Sequence, residues 1–274
     1  MNVVVSTEHR FARTPDGSVW TQTMVAYPFW TRYLQVFAQV RILARVQDVE
    51  TVPLDWHRAT GSAVSFGPVP YYLGPKQYLL RLPPVRRTKV GAVGPRDAVI
   101  LRLSSPVAAT IVPFMRRTGH PYGVEVVGDP YDVFAPGAVR HPLRPFCRWW
   151  FPQQLRRQCA TACAAAYVTE HTLQRRYPVA PGALPTSYSS VELPDAAFMP
   201  APRPVRASER SFTLITVGLL AQLSKAPAVL IDAVALCVRH GLDLSLILVC
   251  DGKHRLELDA LAAASGLGER VFFR

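Results

Sequence analysis

The chain has 274 residues, enough for one large or two ordinary domains, and 49% of them are hydrophobic, which excludes a largely disordered chain. Its formal net charge is +12, and lysine occurs only at 76, 89, 225 and 253, so the basic excess is almost all arginine. Arginine's planar fork suits phosphate, but these residues are scattered among proline and apolar positions with no nucleic-acid motif; nucleotide diphosphates and an anionic membrane surface are therefore the expected partners, and nucleic acid is not.

The first residues, Met1-Asn-Val-Val-Val5 followed by Ser-Thr-Glu-His-Arg10, turn polar too soon for a signal peptide, and no run reaches the ~18 apolar residues of a membrane-spanning helix. Five cysteines (147, 159, 163, 237 and 250) are an odd number. Cys159 and Cys163 are spaced to share a helix face, yet no second Cys/His pair stands near them. Buried reduced thiols, no metal site and a cytoplasmic location are expected.

Val3–Ser6 reads as a short buried strand, and the polar turn Arg13-Thr-Pro-Asp-Gly-Ser18 follows it. Phe29, Tyr33, Phe37, Val40 and Leu43 recur at three to four residues and predict a helix over about 27–45. Ala63–Phe66 and Gln77–Leu80 read as strand-like pieces between glycines and prolines. A regular alternation then begins. Asp97–Ser104 is a strand, Pro106–Thr118 a helix stopped by Gly119, and Tyr122–Gly128 a strand ending at Asp129-Pro130. Leu143–Ala165 holds two or three helical stretches, Ala166–Thr169 is a strand, and Glu170–Arg176 a helical turn. This spacing requires a parallel sheet with covered faces.

Prolines at 194, 200, 202 and 204 mark a linker over 194–210, dividing a first domain (1–193) from a second (211–274). The second reads as βαβαβ: strand Phe212–Val217, a helix opened by Lys225 with Pro227 in its first turn, strand Leu244–Val249, a helix to Ala264, and strand Val271–Phe273. Three strands are half of a doubly wound sheet, so one apolar face is expected to lack a partner. No G-x-G-x-x-G follows either first strand, which counts against a dinucleotide site.

At these residues the sequence resembles the glycosyltransferase group 1 family, retaining enzymes of family 4 with the GT-B fold of two Rossmann-like domains. The match is carried by Ile215-Thr-Val-Gly-Leu-Leu220, Lys225-Ala-Pro-Ala-Val-Leu-Ile-Asp-Ala-Val234, Leu248-Val-Cys-Asp-Gly-Lys253 and Gly268-Glu-Arg-Val-Phe-Phe273. Tyr177-Pro178 and Thr186–Ser190 are similar, more loosely, to sugar transferases of cell-surface polysaccharide synthesis. The fold class so implied is α/β with two Rossmann-like domains, the second incomplete. The function implied is sugar transfer from a nucleotide-sugar to a polysaccharide or lipid-linked acceptor, without metal or other cofactor.

In that family the donor's diphosphate is held by a glycine, a lysine and helix N-terminal amides, roles the resemblance assigns to Gly218, Lys225 and Gly252. Asp16, Gly17 and Ser18 stand where the family has an acceptor-side glycine-rich loop. His9 and Asp129, at strand ends, are the catalytic candidates; a packing histidine and a turn-capping aspartate are the alternative readings. Departures are Leu219 in place of a common arginine, Ala226 in place of the glycine after the lysine, and Cys250 in place of a glycine. The family's two glutamates eight apart have no counterpart among the eight glutamates here. The sequence therefore predicts a C-terminally truncated, impaired or inactive transferase, with a non-catalytic remnant or a Rossmann-type binding protein of weak phosphate affinity as the alternative. Trp149-Trp150-Phe151 with Arg148, Arg156 and Arg157 reads either as an anchor at the inner face of the cell membrane or as a core-facing helix with a basic edge.

Overall fold

Val3 and Val5 pack into one hydrophobic core and Val4 into another, because successive residues of a strand point to opposite faces of its sheet. The computed structural model describes residues 1–85, 93–190, 195–202, 211–218, 220 and 226–274. They fall into two compact units, one comprising Met1–Asp129 and Phe151–Val191, the other Pro130–Trp150 and Glu192–Arg274.

The first unit is built on β1 (Val3–Arg13), β3 (Val40–Asp48), β5 (Val64–Pro70), β6 (Ala98–Leu103), β7 (Gly123–Val126), β8 (Ala164–Tyr167) and β9 (Leu184–Ser187). These pair in parallel in the order β5-β3-β1-β6-β7-β8-β9. The far half of β1 also pairs antiparallel with β2 (Val19–Thr21), which pairs with β4 (His57–Arg58). Helix α1 (Tyr27–Leu34) covers one face with Phe29, Trp30 and Tyr33. The other face carries α3 (Pro106–Thr118), through Val107, Ile111 and Met115, and Leu155 and Cys159 of α5 (Arg144–Cys159). A strand such as β1, covered on both sides, reads as a continuous apolar run.

Three expectations need correction. The helix expected over 27–45 ends at Leu34, and Val40 opens strand β3. Val40, Ile42 and Ala44 face α1 while Leu43 faces the opposite core, so this strand buries both sides and its apolar spacing imitates a helix. Gln77–Leu80 belongs to a helix, α2 (Gly74–Leu80), with proline in its first turn. The stretches expected between 143 and 165 are the single helix α5, after which β8 starts at Ala164. Two further short helices are α4 (Pro130–Val133) and α6 (Thr172–Arg176).

In the second unit β10 (Ser211–Val217), β11 (Asp243–Val249) and β12 (Val271–Phe273) pair in parallel in chain order. Helices α7 (Pro227–Arg239) and α8 (Arg255–Ala264) lie on one face, where Ile231, Val234, Leu258 and Ala262 enclose Leu244, Leu246 and Leu248. The other face carries Ile215, Val217 and Phe272, exposed by 65, 73 and 40%.

Candidate functional site

In the first unit the chemistry gathers where β1 loses register. Its ladder with β3 shifts between Ser6 and Arg10, which frees Glu8 and His9 to leave the plane of the sheet. Glu8 reaches the start of α3: its carboxylate accepts from Ser105 Oγ at 2.8 Å and Val107 N at 3.3 Å, and from Tyr72 Oη at 2.8 Å. Arg45 of β3 lies 3.2 Å from the same carboxylate, bonds the Glu8 carbonyl, and stacks its guanidinium 4.6 Å over the Tyr72 ring. Ser105 meanwhile caps α3 by accepting from Ala108 N at 3.2 Å. The helix N-terminus that follows β6 is thus filled by the chain's own carboxylate and hydroxyl.

His9 lines a cleft of about 410 Å³ together with Glu8, Arg10, Gln22, Thr23, Gln47, Trp56 and Tyr71, a mixture of charged groups, amides, hydroxyls and aromatic rings. Burial first, then the charges of Arg102 and Arg45, push its imidazole below the ordinary value, so it stands neutral at pH 7. Asp129 stands two strands away, past β7, and is committed: it takes a hydrogen bond from Tyr177 Oη at 2.5 Å and pairs with Arg176. That geometry locks the end of β7 to the end of α6. His120 bonds the Asp97 carbonyl at 2.8 Å and ties the turn between α3 and β7.

Asp16, Gly17 and Ser18 form the turn of the β1–β2 hairpin rather than a loop over the strand ends. Asp16 accepts from Ser18 Oγ at 2.6 Å, Ser18 N at 3.2 Å and Thr14 Oγ1 at 2.5 Å, and the Ser18 and Thr14 hydrogen bonds lower its pKa to about 2. Gly17 takes φ +81°, the left-handed conformation that the turn needs. The turn is satisfied within itself and lies seven residues along from His9.

A buried ion cluster that the sequence reading missed sits on the α1 side of the sheet. Arg102 and Glu125 are register partners on β6 and β7 and form an ion pair. Tyr33 Oη donates to Glu125 at 2.6 Å, and Arg32 approaches it at 3.5 Å while stacking over Phe29 at 4.0 Å. The legible signal was charge inside two apolar strands, Val-Ile-Leu-Arg-Leu and Gly-Val-Glu-Val. Among the described residues no group of three His, Cys, Asp or Glu side chains comes together as a metal site would require.

In the second unit Gly218 and Gly252 follow the ends of neighbouring strands. Gly218 N donates to the Val249 carbonyl at 3.1 Å and Leu220 N to the Asp251 carbonyl at 2.9 Å, which sets the exit of β10 against the Asp251-Gly252 turn after β11. Gly252 adopts φ +148°, open only to glycine, and its N–H bonds Asp251 Oδ1 at 2.8 Å. Cys250 is buried in the core, which explains a side chain where the family pattern has glycine. Ala226 is the N-cap of α7 with φ +51° and ψ +44°, left-handed, and it has no side-chain group to cap the helix. Glycine is the residue that fits that conformation without strain. Lys225 and Leu219 lie outside the described residues.

The thiols are not uniformly buried: Cys159 and Cys250 are, Cys163 is exposed, and all five are free. Cys159 ends α5 while Cys163 lies beyond it, so they share no helix face. No helix among the described residues is long and apolar enough to cross a membrane.

No protein-family model matches the chain. Protein CapJ of Staphylococcus aureus is 24% identical over 156 residues, 56% of this chain and 38% of that protein, so the chain matches well under half of this relative's length. Among solved structures, sucrose-phosphate synthase from Thermosynechococcus elongatus superposes over 100% of this chain and 70% of its own, with a TM-score of 0.56 at 12% identity. A UDP-forming α,α-trehalose-phosphate synthase from Burkholderia vietnamiensis gives 0.56 at 11% identity, covering 100% of this chain and 72% of its own. These neighbours are GT-B glycosyltransferases, and the fold of this chain is theirs.

Proposed function

We propose that the chain serves nucleotide-sugar-dependent glycosyl transfer, with the first unit on the acceptor side and the second holding the donor's diphosphate. The observation that carries this reading is a contrast between two helix starts. The N-terminus of α3 is filled by Glu8 and Ser105, whereas α7 begins at a left-handed Ala226, whose own side chain cannot cap it. First-turn amides of a helix favour an anion, Gly218 and Gly252 belong to the same end of the β10–β11 pair, and Lys225 directly precedes Ala226 in the sequence. Cationic and N–H donors there would stabilise the diphosphate as the bond to the sugar's anomeric carbon breaks.

The acceptor belongs to the cleft beside β1, where His9, Gln22, Gln47 and the Trp56 and Tyr71 rings offer the amides and flat apolar faces that a sugar uses. A neutral His9 is suited to receive the proton of the attacking hydroxyl. A polysaccharide or lipid-linked glycan, met at the cytoplasmic face of the membrane, fits this arrangement and the basic charge. No metal is invoked. The paired glutamates that complete such donor sites are not among these residues, so the 274 residues bind a nucleotide-sugar and do not turn it over alone.

The test is calorimetric titration of the 274-residue chain with UDP- and GDP-sugars, paired with a transfer assay on membrane lipid extracts. Saturable binding competed by inorganic pyrophosphate, without product, is the expected result. Absence of binding would sink the donor assignment, and rapid transfer would sink the claim that binding is separated from turnover.

A further inference from the structure

Helix α5 is apolar on two opposite sides. At roughly 100° per residue, Pro152, Leu155 and Cys159 share one side, and all three are buried. Phe146 and Trp150 fall on the opposite side with Trp149 at its flank, and Leu143 directly precedes the helix; Leu143, Phe146, Trp149 and Trp150 stand 58, 52, 59 and 40% exposed. Their rings form one cluster: Phe146 stacks on Trp150 at 5.9 Å between centroids, Trp149 lies 6.0 Å from Trp150, and Phe146 6.1 Å from Trp149. The reading of these tryptophans as core-facing is thereby corrected; only the later turns of the helix face a core.

The segment around the cluster is predominantly basic. Between Asp132 and Glu170 the sequence holds five arginines (140, 144, 148, 156 and 157) and His141 and no acidic residue, although Arg140 pairs with Glu257 at 2.6 Å. Arg148 is fixed beside the rings, donating to the Tyr131 carbonyl at 3.2 Å with its guanidinium 4.0 Å over the Tyr131 ring. Arg144 is fixed by the Phe134 carbonyl at 3.1 Å. Tyr131 and Val133 of the preceding segment are themselves exposed, which widens the apolar area. Exposed tryptophans whose rings are large, flat and polar at one edge, set among arginines, match the boundary between lipid headgroups and acyl chains. A protein partner could bury the rings, but the excess of arginine favours an anionic surface.

We propose that Leu143, Phe146, Trp149 and Trp150 form a docking surface for anionic phospholipid bilayers, inserted at headgroup depth and held by the neighbouring arginines. It requires no donor or acceptor, so it stands or falls apart from the transferase reading. The test is co-sedimentation of the full chain with vesicles of equimolar phosphatidylglycerol and phosphatidylcholine, against vesicles of phosphatidylcholine alone.

The expected result is binding to the anionic vesicles only, weakened by high salt, with tryptophan emission quenched by brominated lipid. The Phe146→Ser/Trp149→Ser/Trp150→Ser variant should lower the bound fraction's partition coefficient by about tenfold or more while keeping its far-UV dichroism. An Ile215→Ser/Val217→Ser variant, which alters the exposed sheet face instead, should bind as the wild type does. Equal losses in both variants, binding indifferent to lipid charge, or rings buried by concentration-dependent self-association that the triple variant abolishes would each overturn the proposal.

Discussion

Glu8 and Ser105 meet at 2.8 Å across 97 residues of sequence, and that contact closes the N-terminus of α3 with the chain's own carboxylate. The same carboxylate holds Tyr72 Oη and Arg45. Replacing Glu8 with alanine would strand a partly buried guanidinium and a phenol, at a cost of about 2–3 kcal/mol. Urea unfolding followed by far-UV dichroism should show a lower midpoint for Glu8→Ala than for wild type.

The Arg102–Glu125 pair predicts a larger loss. Both side chains are almost wholly buried, and Arg102, Arg32 and Tyr33 converge on one carboxylate. Glu125→Gln keeps the shape and removes the charge, leaving Arg102 uncompensated in the sheet. About 3 kcal/mol of stability should go, less than the cost of deleting the side chain because the amide still accepts hydrogen bonds. Chemical denaturation of Glu125→Gln and Glu125→Ala gives the order directly.

His9 gives the pH dependence its sign. Its folded pKa lies below the ordinary 6.5, so on acidification the unfolded chain takes up this proton first. The stability this group supports is fully present above about pH 6.5 and is lost as the pH falls below it. His9→Gln, which cannot titrate, should flatten the fall in melting temperature between pH 6.5 and 5. An unchanged profile in the variant would mean the histidine does not titrate differently on folding.

Ala226 at φ +51° predicts a gain. A left-handed alanine costs about 1–2 kcal/mol, partly offset in glycine by about 0.5–1 kcal/mol of unfolded-state entropy. Ala226→Gly should therefore raise the stability of the second unit by a few tenths to about 1 kcal/mol, read as a higher thermal midpoint. A lower midpoint would show that the strain is relieved elsewhere.

The second unit was the more legible in sequence. Its strands are single apolar runs between glycines, and Pro227, Gly241 and Gly266 mark helix ends where the helices do start and stop. In the first unit the regular part from Ala98 to Thr118 was equally plain, with Ser105 and Pro106 opening α3 and Gly119 closing it. The stretch from 27 to 85 was not, because Val40, Leu43 and their neighbours are buried on both sides and carry no clear period. The sequence places His9 at the end of a short strand, whereas β1 runs on to Arg13 and holds it within the strand. What it and its neighbour Glu8 do there depends on a register shift and on partners 37 to 99 residues away, which no local pattern encodes. Asp129 ends a strand, and the cation it meets, Arg176, is remote in sequence.

The central claim is that a nucleotide diphosphate binds at the start of α7, and calorimetry of one substitution tests it most directly. UDP-glucose and GDP-mannose should be titrated into the wild-type chain, Lys225→Ala and Asp16→Ala. The account predicts saturable binding of at least one donor, weakened about tenfold or more by Lys225→Ala and unchanged by Asp16→Ala, whose carboxylate serves its own turn. Binding that survives Lys225→Ala intact, or no binding by the wild type, would contradict it.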